Sequence, residues 1–221
     1  MRSMMVGVVA TALAAVPRLL SAQEAIIDRM KLDRLQLVSL GFGVGGIAPS
    51  QVERTSIYGL SADYGEISPA WRMQFRISYW ESTFRTSVID AFADTLQKNL
   101  VDPTATTVRR TPIRLYDAAF SFGARRLLDA RGDLTPFFSA GFAGHVINAE
   151  GDFIKGTFVE RALDDIAAGV YADAGIRVRL LRRVLVEGTV RGDLLSGFRS
   201  LQWMAIGSYY FGEPRPGGSG R

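Results

Sequence analysis

The chain has 221 residues, 48% of them hydrophobic and 22% charged, which excludes a disordered composition and suits one large domain. Its formal charge is +4, and setting aside Arg2 and Arg18 leaves 24 basic against 22 acidic residues, which is no nucleic-acid signature. With no cysteine there is neither a disulfide framework nor a thiolate metal site.

Residues 1–22 combine a basic start at Arg2, an apolar run from Met4 to Val16 and small residues before Gln23. This is the pattern of a cleaved secretory signal peptide. Pro17 and Arg18 end the run at 13 residues, where a spanning helix needs about 20, so a retained anchor is the poorer reading. Cleavage is expected after Ala22, with the Ala-Leu-Ala at 12–14 as the alternative. No later stretch reaches 18 uninterrupted apolar residues, so an exported chain must place its apolar surface by other means.

After a short charged lead at 23–33, strict two-residue alternation recurs eight times within 34–212. The first strand, "SLGFGVGG" at 39–46, sets Leu40, Phe42 and Val44 against Ser39, Gly41, Gly43 and Gly45. Its glycines superficially match a phosphate-binding loop, but no helix pattern follows, which rejects that reading. The second strand sets Tyr58, Leu60, Ala62 and Tyr64 against Gly59, Ser61, Asp63 and Gly65. The third is close to pure period two, with Trp71, Met73, Phe75, Ile77 and Tyr79 opposite Arg72, Gln74, Arg76, Ser78 and Trp80.

The long excursion from Ser82 to Thr111 contains Val88, Phe92, Leu96 and Leu100 at four-residue spacing, and Ser87 with Asp90 forms a capping-box-like start. An amphipathic helix over 87–100 is expected, packing on the barrel mouth or lying at the lipopolysaccharide boundary. The fourth strand sets Tyr116, Ala118, Phe120, Phe122 and Ala124 against Asp117, Ala119, Ser121, Gly123 and Arg125. The fifth sets Phe138, Ala140, Phe142 and Val146 against Ser139, Gly141, Ala143 and His145. The sixth sets Val170, Ala172, Ala174, Ile176, Val178 and Leu180 against Gly169, Tyr171, Asp173, Gly175, Arg177 and Arg179. The seventh has Glu187, Thr189, Arg191 and Asp193 on its polar face, and the eighth is apolar on both faces, with Trp203, Ala205, Tyr209 and Phe211 assigned outward. The tail at 213–221 reads as a flexible Pro/Gly extension.

Strands of about ten residues match what a tilted strand needs to cross a bilayer. Tight turns after the even strands and longer loops after the first, third and fifth repeat the asymmetry of outer-membrane barrels. Polarity names the solvent: one face is apolar and nearly uncharged on strand after strand, the reverse of a soluble barrel's charged exterior. The expected fold is therefore all-β, an eight-stranded antiparallel up-and-down transmembrane β-barrel with lipid outside and a narrow, small-residue, polar interior. Tyr58, Tyr64, Trp71, Tyr79, Tyr116, Phe122, Trp203 and Phe211 are the expected lipid-interface aromatics.

In these features the chain resembles the small eight-stranded outer-membrane barrels of Gram-negative bacteria, the OmpA-like and OmpW-like families, over about residues 33–212. The resemblance implies porin-like architecture, location in the bacterial cell outer membrane, and assembly by the insertion machinery that reads an aromatic-ended last strand, here ending at Phe211. Expected partners are outer-membrane lipid and lipopolysaccharide, with no nucleic acid and no cofactor, and the chain is read as a monomer.

The inward charges are Arg72, Arg76, Arg125, Arg177, Arg179 and Arg191 against Asp63, Asp117, Asp173, Glu187 and Asp193. A balanced set suggests a cross-linked lumen rather than an ion-selective one, because charge kept from water must be paired. The glycines of the first strand are expected to give neighbouring arginines room. His145, the only histidine, is expected as a hydrogen-bonded lumen residue. Lipid A deacylases are of similar size and carry a His-x-Ser-Asn-Ala run; here the run is His145, Val146, Ile147, Asn148, Ala149, and Ile147 offers no nucleophilic hydroxyl. A non-enzymatic structural or surface-interaction role through the long loops is the leading expectation, a narrow channel for small or hydrophobic solutes the alternative, and a lipid A-modifying enzyme the third.

Overall fold

A computed structural model describes residues 35–99, 112–128, 133–151, 155, 165–196 and 198–212. Residues 1–22, where the sequence suggests a signal segment, the charged lead at 23–33 and the tail at 213–221 lie outside the described residues. Eight strands close into one barrel in chain order: β1 (Ser39–Pro49), β2 (Thr55–Ser68), β3 (Trp71–Thr83), β4 (Arg114–Leu127), β5 (Leu134–Glu150), β6 (Asp165–Leu181), β7 (Val184–Leu195) and β8 (Phe198–Tyr210). Every neighbour pair is antiparallel, and β1 closes on β8 from Ser39↔Tyr210 to Pro49↔Ser200. A sheet that ends on itself leaves no unpaired edge, the condition for strands to cross hydrocarbon.

The strands run longer than ten residues, reaching 17 in β5 and β6. A crossing consumes only about ten, and the register puts the surplus of β6 at the turn end: Arg126 pairs with Phe138 and Phe138 with Ala174, leaving Gly175–Leu181 beyond that level. Burial follows the two-residue alternation along most of each strand, breaking at Gly45 and Gly46 of β1 and at the exposed turn end of β6, and the outward assignments made from the pattern point outward, including those in β8.

The outer surface carries no charge along the middle of any strand. Its charged outward positions are Glu66 and Arg126 at the turn end and Glu81, Arg114, Glu150 and Arg199 at the loop end. On β4, Arg114 and Arg126 lie 12 residues apart and bracket Tyr116, Ala118, Phe120, Phe122 and Ala124. At about 3.3 Å per residue and a tilt of about 40°, that interval is about 30 Å high, the thickness of a bilayer's hydrocarbon.

Two local devices shape the turn end. Gly65, at φ +85°, forms a register shift between Asp63 and Glu66, a conformation that side chains resist. Asp63 Oδ1 accepts the Gly65 N–H at 2.9 Å, which aims that carboxylate into the lumen. In the β2–β3 turn, Ala70 takes φ +65° after Pro69, and its N–H is held by Glu66 Oε1 at 2.9 Å.

The β1 glycines make room for something other than arginine. A Cβ on Gly41 or Gly43 would meet Ile206, Ser208 or Met204 of β8, and one on Gly45 would meet the backbone of Trp203 and Met204. Gly46, which points outward, lies under the Trp203 indole. The small residues of the first strand thus answer the bulky inward residues of the last, and the expected arginine partners are corrected.

The interior is also not polar from end to end. Its loop-end part is an apolar cluster of Ile47, Val52, Ile57, Trp80, Phe84 and Leu115 with Ala149, Ala167, Leu195, Phe198, Met204 and Ile206. Helix α1 (Thr86–Asn99) starts and ends one residue before the expected span, and Val88 and Ile89 of its first turn pack on the cluster. The Phe92, Leu96 and Leu100 side chains lie outside the described residues.

Candidate functional site

The charged lumen residues form a ladder across the turn-end half of the barrel. Arg72 Nε lies 2.9 Å from Asp63 Oδ2, and Arg177 NH2 approaches the same oxygen at 3.3 Å. Arg177 Nε continues to Glu187 Oε1 at 2.7 Å, and Glu187 Oε2 takes Arg125 NH1 at 2.8 Å. Since β2 and β6 stand four places apart in a ring of eight, the Asp63–Arg177 contact spans the lumen. Arg125 also lies 3.8 Å over the Phe137 ring, so its guanidinium face is covered by an aromatic. All five members of this ladder are buried.

One layer nearer the loops, Arg191 NH2 donates to Asp193 Oδ1 at 2.6 Å and its NH1 to Ser121 Oγ at 2.9 Å. Asp193 Oδ2 accepts from Gln202 at 2.6 Å and Ser200 at 3.2 Å, so β7 and β8 are tied together on the inside. The Tyr171 ring lies 3.9 Å under Arg191, and its hydroxyl fills the space a Cβ on Gly123 would need, 2.5 Å away. Gly123 thus admits the tyrosine that supports the arginine, while its partner Gly141 lets the β4 backbone at Phe122 and Gly123 come close. Asp173 accepts from Ser139 and faces Arg76 NH2 at 3.9 Å. This separation makes an ion pair without a direct hydrogen bond.

His145 Nδ1 and Asp117 Oδ2 are 2.8 Å apart, both groups buried, on adjacent strands β5 and β4. Immediately above them the apolar cluster begins, with Trp80 stacked on Phe198 at a centroid distance of 6.1 Å and an interplanar angle of 8°. Ile147, at the position where a deacylase run has serine, packs its hydrocarbon against that cluster. His145 Nε2 has no partner among the described residues. The pair therefore contains a base and its orienting carboxylate without a nucleophile.

Arg85 secures the cap. Its side chain donates to the Val52 and Pro49 carbonyls, both at 3.0 Å, and the Val52–Phe84 bridge joins the same segments. The start of α1 is thereby tied to the β1–β2 connection.

Of the sequence-predicted residues, the geometry brings Asp63, Arg72, Arg125, Arg177 and Glu187 into one network and Arg191 into a second with Asp193. It joins Arg76 to Asp173 at longer range and isolates Asp117 with His145. Arg179 keeps lumen parity but is exposed at the turn end, its guanidinium 5.3 Å over the Tyr210 ring, and so lies outside the ladder. The cap was missed by the pattern reading, although apolar residues at inward positions near the loop ends, such as Ile47, Ile57, Leu115 and Leu195, carry its signal.

Among the aromatics, Tyr58, Tyr79 and Tyr116 stand near the loop end, with Tyr58 opposite Tyr79 in register. Tyr64, Trp71 and Phe211 stand at the turn end, where Trp71 meets Phe138 edge-on at 5.7 Å and Tyr209 meets Phe211 at 5.2 Å. Phe122 belongs instead to a mid-band patch, 6.4 Å from Phe75 and 5.7 Å from Phe142, and Trp203 lies mid-strand over Gly46. Both are corrections to a purely rim placement, and both follow from cross-strand packing in the membrane band.

A closed eight-strand sheet, an uncharged outer band of bilayer height and an ion-paired core define a transmembrane β-barrel of the small outer-membrane type. No family model matches the sequence, and no curated protein is significantly similar to it. Among solved structures, the chain is similar to Neisserial surface protein A, at 14% identity over 78% of this chain and 96% of that one, with a TM-score of 0.49. OprG from Pseudomonas aeruginosa is 9% identical over 80% and 98%, TM-score 0.47, and Ail, the attachment invasion locus protein of Yersinia pestis, 10% identical over 79% and 95%, TM-score 0.44. The assignment to the class rests on the barrel's own closure and surface.

Proposed function

We propose that the chain is a non-conducting barrel of the bacterial outer membrane whose lumen is a structural strut and whose work is done at its loop-end surface, in a structural or surface-interaction role. The observation that carries this reading is the double seal. Cross-lumen ion pairs fill the turn-end half, and the Trp80–Phe198 stack with its aliphatic neighbours fills the loop-end half. A solute path would have to break buried charged hydrogen bonds and then part a packed apolar layer. The long connections after β3 and β5 leave the barrel at the loop end, where a rigid scaffold can hold binding segments.

Planar-bilayer recording of the purified protein tests the proposal. The expected result is no single-channel conductance above the lipid background. Stepwise currents from folded, heat-modifiable protein would overturn the strut reading in favour of a narrow channel.

A further inference from the structure

The two rims of the barrel are not alike in charge. At the loop end the outward charges alternate in sign: Glu81 accepts the Tyr79 hydroxyl at 3.4 Å, and Arg114 lies opposite Glu150 in register. At the turn end Arg126, Arg179, Arg182 and Arg183 are all exposed. Against them the described acidic residues are Glu66, already engaged with the Ala70 N–H in the β2–β3 turn, and Asp133.

Two of these arginines are held at the height of the girdle by an outward aromatic. Arg126 lies 5.7 Å over Trp71 and Arg183 NH1 donates to the Tyr209 hydroxyl at 2.8 Å, whereas Arg179 lies 5.3 Å over Tyr210 on the lumen side. Aromatic belts mark the level of lipid headgroups, so the guanidinium groups of Arg126 and Arg183 stand where phosphates lie. Arg182 has no hydrogen-bond or ion-pair partner among the described residues. Beside it Leu180 and Leu181 are 61% and 66% exposed, more than most apolar residues of the outer band. The β6–β7 turn thus presents cations and exposed hydrocarbon together.

We propose that this rim is a binding surface for anionic phospholipid in the leaflet at the turn end, centred on Arg182 and Arg183, with Leu180 and Leu181 against the acyl chains. The inference rests on the membrane reading above. Guanidinium groups match phosphate geometry with paired donors, and several of one sign beside a membrane favour anionic over zwitterionic headgroups. The adjacent leucines select a lipid over a free phosphate, because burial of their side chains requires a hydrocarbon neighbour.

The test is native mass spectrometry of the full-length barrel released from nanodiscs containing phosphatidylglycerol and phosphatidylethanolamine. Wild type should retain phosphatidylglycerol preferentially, and the Arg182→Gln/Arg183→Gln variant should lose that preference by about thirtyfold, the order expected for two arginines near an anionic surface. Arg199→Gln, the same charge change at the opposite rim, should leave it intact. Unchanged retention in the double variant, or equal loss in Arg199→Gln, overturns the proposal. Glycerol 1-phosphate added in excess should not displace the lipid; displacement would overturn the leucine contribution. Heat-modifiable migration reports whether the double variant folds, and Arg182→Gln alone, at a side chain without a partner, serves if it does not. Flotation of wild type with vesicles tests the membrane reading separately.

Discussion

Glu187 accepts hydrogen bonds from Arg177 at 2.7 Å and Arg125 at 2.8 Å while only 4% exposed, so it is the joint through which the lumen ladder turns from β6 to β4. Glu187→Gln keeps the shape and removes the charge. The amide oxygen can accept from one arginine, but the amide NH2 then faces the donors of the other, leaving a cation without its counter-charge in a site closed to water. Removing one partner of a buried ion pair costs about 3–5 kcal/mol, and this geometry falls in that range because both oxygens are engaged. Urea unfolding in lipid vesicles, followed by the combined fluorescence of Trp71, Trp80 and Trp203, measures the change. A second variant, Glu187→Gln/Arg177→Gln, restores charge balance and should recover part of the loss. A single variant within about 0.5 kcal/mol of wild type, or a double variant that equals the sum of the two single changes, would refute the reasoning, since a coupled pair must be non-additive.

Gly45→Val should prevent closure of the β1–β8 seam, because its Cβ falls on the Trp203 carbonyl and Met204 Cα, whereas Gly207→Ala, which points into open space, should be silent. The folded fraction on unheated gels separates the two. Ala70→Gly should stabilise the barrel by about 0.5–1 kcal/mol, since glycine accepts the +65° φ of the β2–β3 turn without a Cβ clash. The same unfolding titration reads the shift, and a loss of stability would mean that the turn does not hold this conformation.

The face of each strand was legible in the sequence because period two is a local property. Whether Phe75 or Arg76 meets lipid is decided by backbone geometry within a few residues, and polarity then says which side is wet. The balanced charges, the absence of outward charge mid-strand and the likeness to small outer-membrane barrels follow from the same reading. The first turn of a helix after β3 was legible too, from Val88 and its four-residue spacing.

Partners across the lumen were not legible. Asp63 and Arg177 are 114 residues apart, and Arg125 and Glu187 62 apart. Alternation places all four inside, but only closure and register bring particular pairs within 4 Å. The glycines of β1 make the same point. Their room is taken by Met204 and Ile206, on a strand at the far end of the chain that becomes a neighbour only when the sheet closes. Alternation by itself decided which side of the sheet each residue occupies; the tertiary structure decided what it touches there, because contact across a barrel depends on strand order, stagger and side-chain volume summed around the ring, none of which any single strand contains.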